Sequence, residues 1–153
     1  MNTLTFDEQV ALLIKDLSGR LPHKVIINYP RTSYLVGEPN TREAAVLTGI
    51  DPLRREYSIG SKYTRISGLH IIFRGKIIIK PYLRPMSSMT EEEIKEYKKT
   101  CEYSENDEFF YPTFKTYDWL NAHHFDYRGL IPLGLAIDVT TLEDNPYNDE
   151  FIY

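Results

Sequence analysis

Six side chains within ten residues carry the densest reactive chemistry in this sequence: Trp119, His123, His124, Asp126, Tyr127 and Arg128. Two imidazoles, a carboxylate, a phenol and a guanidinium so close together suit general acid–base work, with His123 or His124 as base and Asp126 orienting it in a small hydrolase. Metal chelation suits them less. Successive residues on a helix point about 100° apart, so the two histidines cannot share an ion as an i, i+4 pair does. His23 and His70 stand at no spacing that completes a ligand set, and no metal site is expected. The chain contains no G-x-S-x-G elbow, H-E-x-x-H, P-loop or G-x-G-x-x-G motif, so no catalytic residue and no cofactor are assigned. The structural alternative for the same block is a capped helix end. There His123 packs beside Trp119, His124 meets the helix C-terminus, and Asp126 and Arg128 satisfy backbone groups of the following turn.

A second chemistry is phosphate recognition. Arg31, Arg42, Arg54, Arg55, Lys62, Arg65 and Arg74 are interleaved with Tyr29, Tyr34, Tyr57, Tyr63 and Phe73, a mixture that suits phosphates and stacked rings. The whole chain is acidic, with 18 Lys and Arg against 22 Asp and Glu. A long nucleic acid is therefore disfavoured as a partner, whereas a small phosphorylated ligand such as a nucleotide avoids the repulsion. The expected ligand-binding set is Arg54, Arg74, Tyr82, Arg84, Trp119, His123, His124, Asp126 and Arg128.

Charge is also segregated along the chain. Residues 1–82 hold 12 Lys and Arg against 7 Asp and Glu, a net of +5, while residues 83–153 hold 6 against 15, a net of −9. Attraction between two subregions of one domain explains this, and so does a bipolar surface whose acidic face engages a basic protein.

The elements that must position these residues are partly readable. Thr5 with Glu8 has capping-box spacing, and Val10, Leu13, Ile14 and Leu17 follow as an apolar stripe, so a helix is expected until Gly19 and Pro22. Val25 to Ile27, Ala45 to Thr48 and Tyr57 to Ile59 read as strands, and residues 70–73 and 76–79 as a hairpin turned at Arg74 and Gly75. Leu69, Ile71 and Phe73 would share one of its faces. Pro81 and Pro85 hold residues 82–84 extended, which reads as a strand exit into a linker, and the stretch from Pro81 to Thr90 reads as the best internal boundary. Thr90 with Glu93 is a second capping box with only a narrow apolar stripe, Ile94, Tyr97 and Cys101, behind it. Cys101 reads as a packing residue. Glu102, Glu105, Asp107 and Glu108 read as a solvated loop, Thr116 as the cap of a short helix over 118–124, and Leu130 to Val139 as a core segment. Residues 143–153 read as a frayed tail or an interaction arm.

These elements predict an α+β fold: an N-terminal helix, a mostly antiparallel β-sheet and a C-terminal helical layer, in a single domain spanning 1–153 with a basic subregion 1–82 and an acidic subregion 83–153. The 153 residues suffice for a core without staples. One cysteine and no apolar run of ~20 residues point to a reducing compartment and away from the membrane. Acidic residues at positions 7 and 8, where a secretory signal wants basic ones, argue against export. A homo-oligomer is compatible with an aromatic-rich sheet of this size.

Three blocks carry a resemblance: KPYLRPMSSMTEEE at residues 80–93, DWLNAHHFDYRGLI at 118–131 and KDLSGRLP at 15–22. In these the chain resembles a family of short uncharacterised proteins encoded by phages and mobile elements of gut anaerobes. The resemblance covers about a quarter of the chain and brings no activity. It implies a phage or prophage accessory protein in the bacterial cytoplasm, a non-catalytic binding module whose partner is a host protein or a nucleotide signal used in antiphage defence. The alternatives are the small hydrolase above and a structural or assembly protein of the virion.

Overall fold

Thr5 opens the first helix as its spacing predicts, its side chain accepting from the Glu8 amide while Glu8 accepts from the Thr5 amide at 2.7 Å. The structure, a computed structural model, describes residues 3–30, 42–60, 65–73 and 75–148. Helix α1 (Phe6–Arg20) buries Val10, Leu13 and Leu17. Strands β1 (Ile26–Pro30), β2 (Arg42–Asp51), β3 (Glu56–Gly60) and β4 (Arg65–His70) follow, each antiparallel to the one before. The hairpin is present but short. Its strands β5 (Ile72–Phe73) and β6 (Lys76–Ile77) pair apart from the main sheet, with Gly75 at φ 73° in the turn. Ile71 is buried, while Arg74 lies outside the described residues.

Residues 81–85 correct an expectation. They do not leave the sheet but form β7 (Lys80–Pro85), which pairs antiparallel with β1 and parallel with both β10 (Phe125–Asp126) and β11 (Ile137–Asp138). Prolines at its second and last positions leave the amides of residues 82–84 available, and that of Arg84 donates to the His124 carbonyl at 2.8 Å. The order is β10, β7, β1, β2, β3, β4, with β11 also on β7. The first half of the stretch expected as a boundary is thus a strand that joins the two subregions.

Both faces of the sheet are covered, which explains why its strands read as continuous apolar runs. Ile27, Ala45, Leu47, Ile59 and Leu83 face the larger core with α1, Leu130 and Leu135, whereas Ile26, Val46 and Tyr82 face a smaller cluster closed by Val139. Leu130, Leu135, Ala136 and Val139 enter the core as their composition suggests. Outside the sheet stand α2 (Glu91–Thr100), the hairpin of β8 (Glu102–Ser104) and β9 (Phe109–Tyr111), and α3 (Phe114–Ala122). The fold is α+β, with an N-terminal helix, a mostly antiparallel sheet and a C-terminal helical layer. Helix α2 buries none of its residues, in keeping with its narrow stripe. The expected acidic loop is a hairpin turn, and α3 starts four residues earlier than its composition suggested. Thr113 is the cap, and Thr116 completes the capping box from inside the helix, where it also bonds the Thr100 carbonyl at 3.0 Å. Among the described residues no helix is long and apolar enough to cross a membrane.

Candidate functional site

The chemistry-rich block begins on α3 and runs through its C-terminus into β10. Trp119 stacks on His123 at 4.2 Å and on Phe125 at 5.6 Å between ring centroids, and the Arg84 guanidinium lies 4.2 Å over the Phe125 ring. Each polar end is tied down. The Trp119 indole donates to Glu96 at 3.3 Å, and His123 Nδ1 stands 2.8 Å from the Trp119 carbonyl, a bond its N–H donates. Arg84 forms a two-pronged ion pair with Glu93, both bonds 2.7 Å. That pair, against the desolvation of a largely covered carboxyl and with help from Thr90, holds Glu93 down to a pKa of about 2.

His124 occupies the left-handed region at φ 63° and stacks on Tyr147 at 3.7 Å. Burial, reinforced by the charges of Arg20, His123, His23 and Arg84, lowers its pKa to about 3, and its Nδ1 is buried without a hydrogen-bond partner among the described residues. An imidazole neutral down to that pH is a poor general base at its own ring. Asp126 does not orient it. Its carboxylate accepts from the backbone amides of Leu130 and Ile131, both at 2.8 Å, and pins the turn at Gly129, which has φ 75°. The hydrolase arrangement of histidine and Asp126 is therefore not formed.

Beneath this block lies a group that sequence reasoning missed. Asp16 and Arg20 on α1 are fully buried, and Arg20 donates to Asp16 at 2.7 and 3.1 Å and to the Phe125 carbonyl at 2.8 Å. Arg128 Nε stands 3.2 Å from the same carboxylate, and the Tyr127 ring has the guanidinium of Arg20 at 5.0 Å and that of Arg128 at 5.2 Å. Two cations thus converge on one carboxylate. The signal was available: Asp16 and Arg20 extend the buried stripe of Leu13 and Leu17, where a charged pair at i, i+4 has no reason to sit unless it meets something.

The remaining expected ligand residues scatter. Arg54 projects from the β2–β3 turn, its side chain 77% exposed and 3.9 Å from Asp51, while Arg74 lies outside the described residues. Tyr82 is buried; its hydroxyl accepts from the Asn28 amide at 2.7 Å and its carbonyl accepts from the Tyr147 hydroxyl at 2.6 Å. That same hydroxyl accepts from the Ile26 amide, so the chain up to residue 148 is anchored rather than frayed, and burial raises the Tyr147 pKa. Tyr29 and Tyr57 are core residues, not surface rings. Cys101 is half-buried against the Tyr97 carbonyl and the Thr116 hydroxyl. No group of three metal-ligating side chains occurs among the described residues.

Two surfaces do present unspent chemistry. One is a cleft of about 480 Å³ between α1 and α3, lined by Lys15, Gly19, Tyr117, Asn121, Tyr127 and Arg128. The other is the β8–β9 hairpin with the first residue of α3, where Tyr103, Phe109, Tyr111 and Phe114 are 53%, 55%, 44% and 92% exposed. Compared with protein families, curated proteins and solved structures, the chain matches none of them.

Proposed function

We propose that the protein is a non-catalytic binding module, a phage or prophage accessory protein that works in the host bacterial cytoplasm by docking on a host protein, as an anti-defence factor does. The observation that carries this reading is the aromatic surface of the β8–β9 hairpin. Phe109 and Tyr111 share one face at 5.0 Å between rings, Tyr103 and Phe110 share the other at 4.8 Å, and Lys98 covers Phe110 at 5.2 Å. Phe114, three residues beyond Tyr111 at the start of α3, is almost fully exposed. Large exposed aromatic groups are costly to leave in water and are the side chains that anchor protein interfaces. Around them Glu102, Glu105, Asp107 and Glu108 are all exposed, and no lysine or arginine occurs between residues 100 and 114. A basic, apolar-centred surface complements that rim. Support also comes from the resemblance to phage-encoded short proteins, which implies an accessory protein of this kind.

The test is affinity capture from lysate of a gut anaerobe with the wild-type chain and with Phe109→Ala and Phe114→Ala. A single bacterial protein held by the wild type and lost from both variants is the expected result. Capture unchanged in both variants overturns the hairpin as the docking surface, and a stable higher oligomer with no bound protein favours an assembly role in the virion instead.

A further inference from the structure

The cleft between α1 and α3 has the composition of a ligand site, and it owes nothing to the hairpin. Lys15 and Gly19 stand one turn apart on α1, facing Tyr117 and Asn121, one turn apart on α3; Tyr127 and Arg128 complete the lining. Gly19 lies on the α1 side of the gap between the helices. A Cβ built there would come 3.9 Å from Asn121 Nδ2, which places that amide nitrogen at the cleft wall. Asn121 is only 6% exposed, and its carbonyl oxygen accepts from the Tyr127 hydroxyl at 2.8 Å. This bond fixes the amide orientation and leaves Nδ2 as a donor with no acceptor among the described residues.

The charge of the cleft runs against that of the protein. Lys15 is exposed and has no ion-pair partner among the described residues, and the terminal nitrogens of Arg128 make no hydrogen bond there. Behind them Arg20 is fully buried, its Nη1 making no hydrogen bond among the described residues. Against these three cations stands one carboxylate, Asp16, already shared by Arg20 and Arg128. An anion adjoining the cleft would relieve that imbalance. The rings add a second preference. Tyr117 is 43% exposed and meets Tyr127 edge-on at 5.3 Å, which leaves a ring face open beside the cations. The volume lies within the range of small-molecule sites, roughly 300 to 1,000 Å³.

We infer that this cleft binds a nucleotide, with Lys15 and Arg128 holding the phosphate, Tyr117 stacking on the base and Asn121 Nδ2 donating to an acceptor on the base edge. A stacked ring and a charged phosphate on one molecule use all four groups together; a bare anion uses the cations alone, and a nucleoside the ring and amide alone.

Calorimetric titration of the full chain with AMP, GMP and cyclic di-AMP, alongside adenosine and pyrophosphate, tests the assignment. At least one nucleotide binds ten-fold or more tightly than adenosine and than pyrophosphate, and added salt weakens it. Lys15→Ala and Tyr117→Ala each weaken that nucleotide ten-fold or more while leaving the thermal midpoint unchanged, since both side chains are exposed; Arg54→Ala, on the distant β2–β3 turn, leaves binding unchanged. Pyrophosphate binding equal to that of every nucleotide, Tyr117→Ala without effect, or no binding by any of the five overturns the inference, and none of these results bears on the hairpin.

Discussion

Residues 119–128 and the hairpin at 102–111 are both rich in aromatic and charged side chains, yet they have opposite fates. In the first, the indole, His123, Asp126 and the neighbouring Arg84 are bound to the protein's own backbone and side chains. In the second, three of the four aromatic rings are about half exposed and the acidic residues are all exposed, with only Asp107 bonded locally among the described residues, to the Tyr111 and Ser104 hydroxyls. A high density of reactive residue types therefore does not by itself leave those groups free, since the protein's own backbone and side chains can take them up. What separates the regions is the buried Asp16/Arg20 pair, which lies under the first and demands that the chain above it be fixed.

Breaking that pair should have the largest effect. Arg20→Ala leaves a buried carboxylate short of its main partner and is expected to cost about 3–5 kcal/mol in urea unfolding, while the double change Asp16→Leu with Arg20→Met recovers much of the loss. A double variant no better than the single one would show that the Arg20 bond to Phe125, rather than the charge pair, holds the block.

Acid comes next. A histidine whose pKa falls from 6.5 unfolded to about 3 folded stays neutral only in the native state, so the unfolded chain binds more protons between those values and stability drops as pH falls from 6.5 towards 3. The full shift corresponds to roughly 3–5 kcal/mol. His124→Asn, which tolerates the left-handed backbone, should flatten this slope when unfolding is followed from pH 7 to 4. Glu93 adds a later loss of the same sign. Its depressed pKa stabilises the fold above about 4.5, and that contribution fades as pH falls towards 2.

Smaller still, Arg84→Ala releases Glu93 and the covered face of Phe125 and should cost about 2 kcal/mol, with the Glu93 pKa, followed by NMR, rising towards 4.5. At the other extreme, Phe114→Ser should change stability by no more than about 0.5 kcal/mol, as surface substitutions do. A large loss there would erase the contrast between the regions, because it would mean that the exposed ring is structural.

Local chemistry was legible and long-range pairing was not. Both capping boxes close as their spacing implies, because each involves partners three residues apart. The strands at 25–27, 45–48 and 57–59 were also readable from β-branched runs between breakers. Residues 82–84 are extended as their flanking prolines imply, but their pairing is not legible, because prolines signal an ending to any nearby comparison while the partners that make β7 a strand lie about forty to fifty-five residues away on either side. His123 beside Trp119 was anticipated; Arg128 on Asp16 and His124 on Tyr147 were not, since nothing in residues 118–131 reveals what α1 and residues 139–148 bring to them.

The placement of β7 also sets a timetable for the nascent chain. Its neighbour β1 is made before it, but β10 and β11 emerge forty or more residues later, and the bonds from Arg20 to Phe125 and from Ile26 to Tyr147 close loops of 105 and 121 residues. While the ribosome is still short of those segments, β1 to β4 can pair with one flank of β7 bare and two charges on α1 awaiting their lid. Contacts of such separation slow folding, and an open strand flank in the interim invites pairing with other chains. Completion therefore waits for residues 125–147, when the acidic half arrives to cover what the basic half has left open.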